Sequence, residues 1–223
     1  MRKQVNRQSI ALGACYAIEH ATHLLEDAAA LYSRARPSTA LHLAVMAREE
    51  LGRFNLLAQR YNAMHDGESV DPKEVAASLK PHKDKLSAGQ STVPVSLTAE
   101  QMAQWRTAIQ QNDEQMLAAI SEQIRLRAQE LKPHQVAEWH RRRLKAQYVD
   151  LDGNSGIWSR PSEVTLSEAY SLILTVLAEI ANALIAAQGV AWLQSSLAQA
   201  GIELPQMGPF THRVFANLTA QDA

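Results

Sequence analysis

A chain of 223 residues with 46% apolar and 20% charged residues can bury one sizeable core, as an ordinary soluble globular domain does. Its formal net charge of −1 excludes a global field that would draw it to nucleic acid or a membrane surface, so any polyanion contact needs a local basic patch. The single cysteine, Cys15, excludes an intramolecular disulfide and fits a reducing, cytoplasmic setting. In chain order, MRKQVNRQSIALGA lacks a long apolar run and is not read as a signal peptide. Helical periodicity then dominates, with almost no strand-like alternation and no internal repeat. A first helix spans about 9–34, with Ala14, Ala17, Ile18, Ala21, Leu25, Ala28 and Tyr32 on one stripe. Arg36-Pro37-Ser38 breaks it, and a second helix covers 39–63. Asp71-Pro72 opens a short helix that Pro81 interrupts. Residues 87–96 form a loop, and Thr98 with Gln101 caps a long helix to 131. Pro133 breaks that helix, which restarts and runs to 148. Asp152 to Gly156 is a turn-rich insert. Thr165 with Glu168 caps a last long helix ending near Gly201, and the tail 202–223 carries one more turn or helix. The most apolar stretch, 170–193, holds Glu179, Asn182 and Gln188, so it reads as a bundle helix and not a membrane span.

The expected fold is all-α: a bundle of four to five long helices with a short accessory helix, one domain over 1–223 with its core at about 9–201. Alanine on the inner stripes permits close packing. The same stripes on the first two helices look wider than one core needs, which points to a homodimer.

The second helix raises the central question. LHLAVMAREELGRFNLLAQR (41–60) is apolar nearly all round, yet carries Glu49, Glu50 and Gly52. On the helical wheel Glu49 aligns with His42 and Arg53, whereas Glu50 falls between Leu43 and Leu57. Gly52 costs about 1 kcal/mol relative to alanine in a helix interior, and a close helix–helix approach would compensate.

Several chemistries can be weighed. A di-iron bundle needs Glu-x-x-His, which is absent; His20 and His23 fit a solvated strip with Glu26 and Asp27. No metal or cofactor is implied. Cys15 lies on an alanine stripe as a buried thiol, and no nucleophile elbow occurs. Arg-x(4–6)-His, a ribonuclease pattern, occurs at Arg36/His42, Arg60/His65 and Arg127/His134, but about one or two such matches arise by chance. The run HQVAEWHRRRLKAQYVD concentrates Arg141, Arg142, Arg143 and Lys145. It reads either as a solvated helix end or as a phosphate-binding patch, with Tyr148 available to stack on a base. His82 and Lys85 in KPHKDKL lie one turn apart, as an exposed basic turn or as a pair aimed at one anion.

Three segments in order, AREELGRF (47–54), HKDKL (82–86) and RLKAQYVDLDG (143–153) followed by Trp158 and Pro161, resemble the AbiV-type abortive-infection proteins of the HEPN superfamily. The resemblance covers about residues 10–185. It departs at Arg53, where the family usually has lysine, and at Gln147. It implies a small helical bundle and a phage-defence role. It does not place an Arg-x(4–6)-His pair on one clear pair of residues. Taken with the basic runs, it selects Glu49, Glu50, His82, Lys85, Arg143, Lys145, Tyr148 and Asp150 as one candidate catalytic site. There the glutamates either orient Lys145, Arg143 or His82, or form a buried structural ion pair. The functional expectation is an effector that arrests growth or translation by binding RNA and acting on it as a metal-independent endoribonuclease, with a phage protein as trigger. The alternative is a non-catalytic binding or sensor protein acting through a protein partner, or a partner-regulated dimer.

Overall fold

The computed structural model describes residues 4–90, 113–151 and 158–220, together with 103, 104, 107 and 111. Two long helices form the centre. α1 (Arg7–Tyr32) starts where the Asn6 side chain accepts the Ser9 amide proton, and α2 (Pro37–Ala63) starts with its proline in the first turn. Only residues 33–36 join them, so the pair forms a hairpin. Ala14, Ala17, Ala21 and Ala28 on α1, and Ala40, Ala44 and Ala47 on α2, are buried, which lets the helices approach closely. Every residue of the predicted α1 stripe is buried within the one chain.

A two-residue pairing ties the ends of this hairpin: β1 (Val5–Asn6) runs antiparallel to β2 (Ser69–Val70). α3 (Pro72–Ser78), capped by Asp71, and α4 (His82–Gly89) follow. α5 (Glu114–Gln147) is the longest described helix, capped by Asp113. β3 (Asp150–Leu151) and β4 (Trp158–Ser159) pair antiparallel, and a 3-10 turn covers Pro161–Glu163. α6 (Leu166–Gln188) opens with the expected capping box of Thr165 and Glu168. It is long and apolar enough to cross a membrane, and here it buries Leu172, Ile173, Val176, Leu177, Ile180 and Leu184 in the core. α7 (Ala191–Ala200) and α8 (Met207–Thr219) complete the described chain. α8 seats Phe210, Val214 and Leu218 in the core, and Arg213 pairs with Glu26 of α1 at 2.6 Å.

The all-α fold is as expected, but three boundaries differ. α4 runs through positions 87–89, where the loop was expected to begin. α5 passes through Pro133 without a break. Proline removes one helical hydrogen bond, but Val136, Trp139 and Arg143 are fixed beyond it by burial, by Arg48 and by Glu49. The helix expected over 165–201 is two: Gly189 ends α6, extended Val190 caps α7, and only α7 reaches left-handed Gly201. The proposed Thr98–Gln101 cap, positions 91–96 of the expected loop and the 152–156 turn lie outside the described residues.

Candidate functional site

The site begins with a backbone contact. A Cβ on Gly52 would lie 1.8 Å from the Lys85 carbonyl oxygen, and one on Gly89 would lie 2.3 Å from the Arg48 carbonyl oxygen. Paired glycines thus let α2 and α4 touch backbone to backbone. This is the close approach that offsets the helix cost of Gly52. It also sets the first turn of α4 beside Glu49.

Glu49 is the hub. Its carboxylate is buried, at 6% exposure, and three basic groups converge on it. His82 Nδ1 lies 2.7 Å from Oε2, Arg143 Nη1 lies 3.1 Å from Oε1, and Lys85 Nζ lies 3.6 Å from Oε2. Burying an isolated carboxylate would cost several kcal/mol, so this pairing is what permits it. A carboxylate only accepts, so His82 must donate from Nδ1. Arg143 Nη1, which donates to Oε1, is also 3.0 Å from that nitrogen and 3.5 Å from Nε2. In the neutral ring the proton therefore sits on Nδ1, and Nε2 carries the lone pair. At 44% side-chain exposure, the ring reaches the surface. A buried acid thus orients an exposed base.

Two histidines that the sequence reading left out of the set complete the cluster. His140 lies one turn before Arg143 on α5, and its ring stands 6.5 Å from the His82 ring at 28°. Burial lowers its pKa below 6.5, helped by Arg143, Lys83 and His82 and opposed by Glu49. His42 lies two turns before Glu49 on α2. Burial and then Arg143 lower its pKa too, again against Glu49. The Nδ1 atoms of both rings are enclosed without a partner. Both had a legible signal, the i,i+3 spacing to Arg143 and the i,i+7 spacing to Glu49.

The sequence profile of the AbiV HEPN family matches residues 10–182. The chain belongs to the AbiV family of HEPN proteins. Membership places it among abortive-infection proteins, which act in phage defence. Neither the curated proteins nor the solved structures gave a match.

Of the eight candidate residues, this AbiV-family fold brings together Glu49, His82, Lys85 and Arg143. Glu50 stands apart. It pairs with Arg53 at 2.7 Å, one turn along α2, so the partners expected from the wheel are exchanged: Arg53 serves Glu50, and Glu49 turns inward to α4 and α5. Lys145 also leaves the cluster for Glu168 at 3.8 Å. Tyr148 is exposed at the end of α5, and Asp150 lies in β3, its side chain outside the described residues. Among the Arg-x(4–6)-His pairs, Arg60 is held by Glu74, His65 and His134 are exposed, and the Arg127 side chain lies outside the described residues. His42 reaches the cluster, while Arg36 is exposed at the start of α2.

Proposed function

We propose that this phage-defence protein arrests growth by cutting RNA at the Glu49–His82–Arg143 cluster. One observation carries the reading: a buried carboxylate holds an exposed imidazole in the tautomer that frees Nε2, with a guanidinium on the same carboxylate. In the step we infer, the ribose 2′-hydroxyl gives its proton to His82 Nε2 and its oxygen attacks the neighbouring phosphorus. The bond from phosphorus to the 5′-oxygen breaks, and that oxygen takes a proton from water. The products are a 2′,3′-cyclic phosphate and a 5′-hydroxyl. Arg143 stabilises the negative charge that grows on the phosphoryl oxygens, and Glu49 stabilises the imidazolium. Lys85 is buried and offsets the Glu49 charge without meeting substrate. Exposed Lys83 and the Arg141–Arg142 turn give a local basic approach for the RNA backbone in a near-neutral protein.

The test is RNA integrity in cells expressing wild type or His82→Ala. Fragmentation with wild type and intact RNA with the variant at equal folded level is the expected result. Fragmentation that persists in His82→Ala overturns the assignment.

A further inference from the structure

We propose that His140 is a second group of this site, a neutral hydrogen-bond donor that holds a phosphoryl oxygen through Nε2–H. The inference rests on the RNA-cleaving reading above and names a residue which that reading does not use. Two neighbouring rings are set in opposite ways. His82 carries its proton on Nδ1 because Glu49 accepts it, so its Nε2 is a lone pair. His140 is set the other way. Its Nδ1 is enclosed with no acceptor, and a proton there would be a stranded donor in a cluster already holding Arg143 and Lys85. A lone pair at Nδ1 is the form this surrounding favours, which leaves the proton on Nε2.

The surroundings favour the neutral ring. Burial disfavours a positive charge there most, Arg143 and Lys83 add to it, and Glu49 alone opposes. The rings stand 6.5 Å apart and within 28° of parallel. That sets the two rings side by side as an offset pair next to Arg143, so both can meet one substrate group. A base on one side and a neutral donor on the other divide the work. His82 takes the proton of the attacking hydroxyl, and His140 stabilises charge without giving up its own proton. No bond to His140 forms or breaks.

The experiment has two arms. Long-range proton–nitrogen correlation spectra of the full chain near pH 7 read the ring tautomers directly. The expected result is His140 protonated on Nε2 alone and His82 protonated on Nδ1. A short oligodeoxythymidylate, which lacks the 2′-hydroxyl and cannot react, is then added as probe, and it should shift the His140 Nε2–H signal. In the kinetic arm, His140→Ala should lower kcat about 10²-fold with little change in KM. His140→Gln, whose amide NH2 sits near the place of Nε2–H, should recover much of that loss, and His140→Asn should not. His140 protonated on Nδ1, an imidazolium at neutral pH, a signal indifferent to the oligonucleotide, or equal kcat in the Ala and Gln variants each overturns the proposal. A protein that cuts no RNA fails the preceding proposal, and the spectra and probe still decide this one.

Discussion

Arg48 and Glu49 are neighbours on α2, and both are buried charges, but they lead to different kinds of network. Arg48 turns to α6. Its Nη2 meets Glu179 Oε1 at 2.6 Å, and its guanidinium lies 3.9 Å from the centre of the Trp139 ring. Arg48 is 1% exposed at its side chain and Glu179 is 0% exposed. Glu49 turns the other way, to α4 and α5, and its chain of contacts ends on a ring that is nearly half exposed. A sealed pair can hold helices together but cannot meet a substrate. An acid that is itself buried, yet bonded to an exposed base, transmits order to the surface. The sealed pair is also imperfect: Arg48 Nε, Arg48 Nη1 and Glu179 Oε2 have no partner, and burial pushes the Glu179 carboxyl up to about 7 against the pull of Arg48.

The largest effect should come from breaking the sealed pair. Arg48→Ala or Glu179→Ala strands one buried charge and should cost about 3–5 kcal/mol. Thermal melts should show this as a clear fall in Tm, while growth arrest per folded molecule stays at the wild-type level. Replacing both, as Arg48→Met with Glu179→Leu, should recover most of the loss, since no lone charge remains. Arrest lost at full folding would erase the contrast between the two networks.

Next in size is the glycine contact on which the open network stands. Gly52→Ala drives a methyl into the Lys85 carbonyl and should cost about 1–3 kcal/mol. It should also move α4, and with it His82, off Glu49, so Tm and arrest should fall together. Arrest that survives with α4 displaced would mean that the first turn of α4 is not part of the machinery.

Arg53→Ala separates the adjacent glutamates at smaller cost. Its ion pair with Glu50 is partly exposed on the Arg53 side and lies within one helix, so about 1 kcal/mol or less is expected, with arrest unchanged. A Tm drop as large as that of Glu179→Ala would place Glu50 with the sealed pair.

The smallest effect is in pH, where the two networks act with opposite signs. His42 and His140 are lowered below 6.5, so the unfolded chain takes up protons first as pH falls. Their contribution is present above pH 6.5 and is lost as pH drops through their folded values. Glu179 is raised from 4.5 to about 7, so its folded form holds the proton and its contribution is lost as pH rises through that window. Melting curves between about pH 5 and 8 should therefore rise more steeply with pH in the Arg48→Met/Glu179→Leu variant than in wild type. Parallel curves would contradict the opposed signs.

How much was legible follows the same division. The helices were readable because their stripes and caps are local: Asn6 and Thr165 act within one turn, and Ala14 to Tyr32 share one face. Pro133 misled because propensity is local, whereas the packing that carries α5 through it comes from α2. Glu49 could be singled out as a carboxylate on an apolar helix. Its partners could not be ranked from the wheel, because the wheel offers Arg53 on the same helix and says nothing of His82, 33 residues away, or Arg143, 94 residues away. Tertiary facts decide between them: the Gly52–Gly89 contact brings His82 to Glu49, and the packing of α5 on α2 brings Arg143.

The most direct test of the central claim is Glu49→Gln beside Glu50→Gln, each assayed for Tm, growth arrest and RNA integrity. Glutamine keeps the shape of Glu49 but removes the charge that holds His82 and Arg143. The account predicts that Glu49→Gln stays folded and loses RNA cleavage by about 10²-fold or more, with arrest lost alongside. Glu50→Gln should behave as wild type in both activities. Arrest per folded molecule left intact in Glu49→Gln, with only its Tm lowered, would make the cluster a structural ion network and contradict the account.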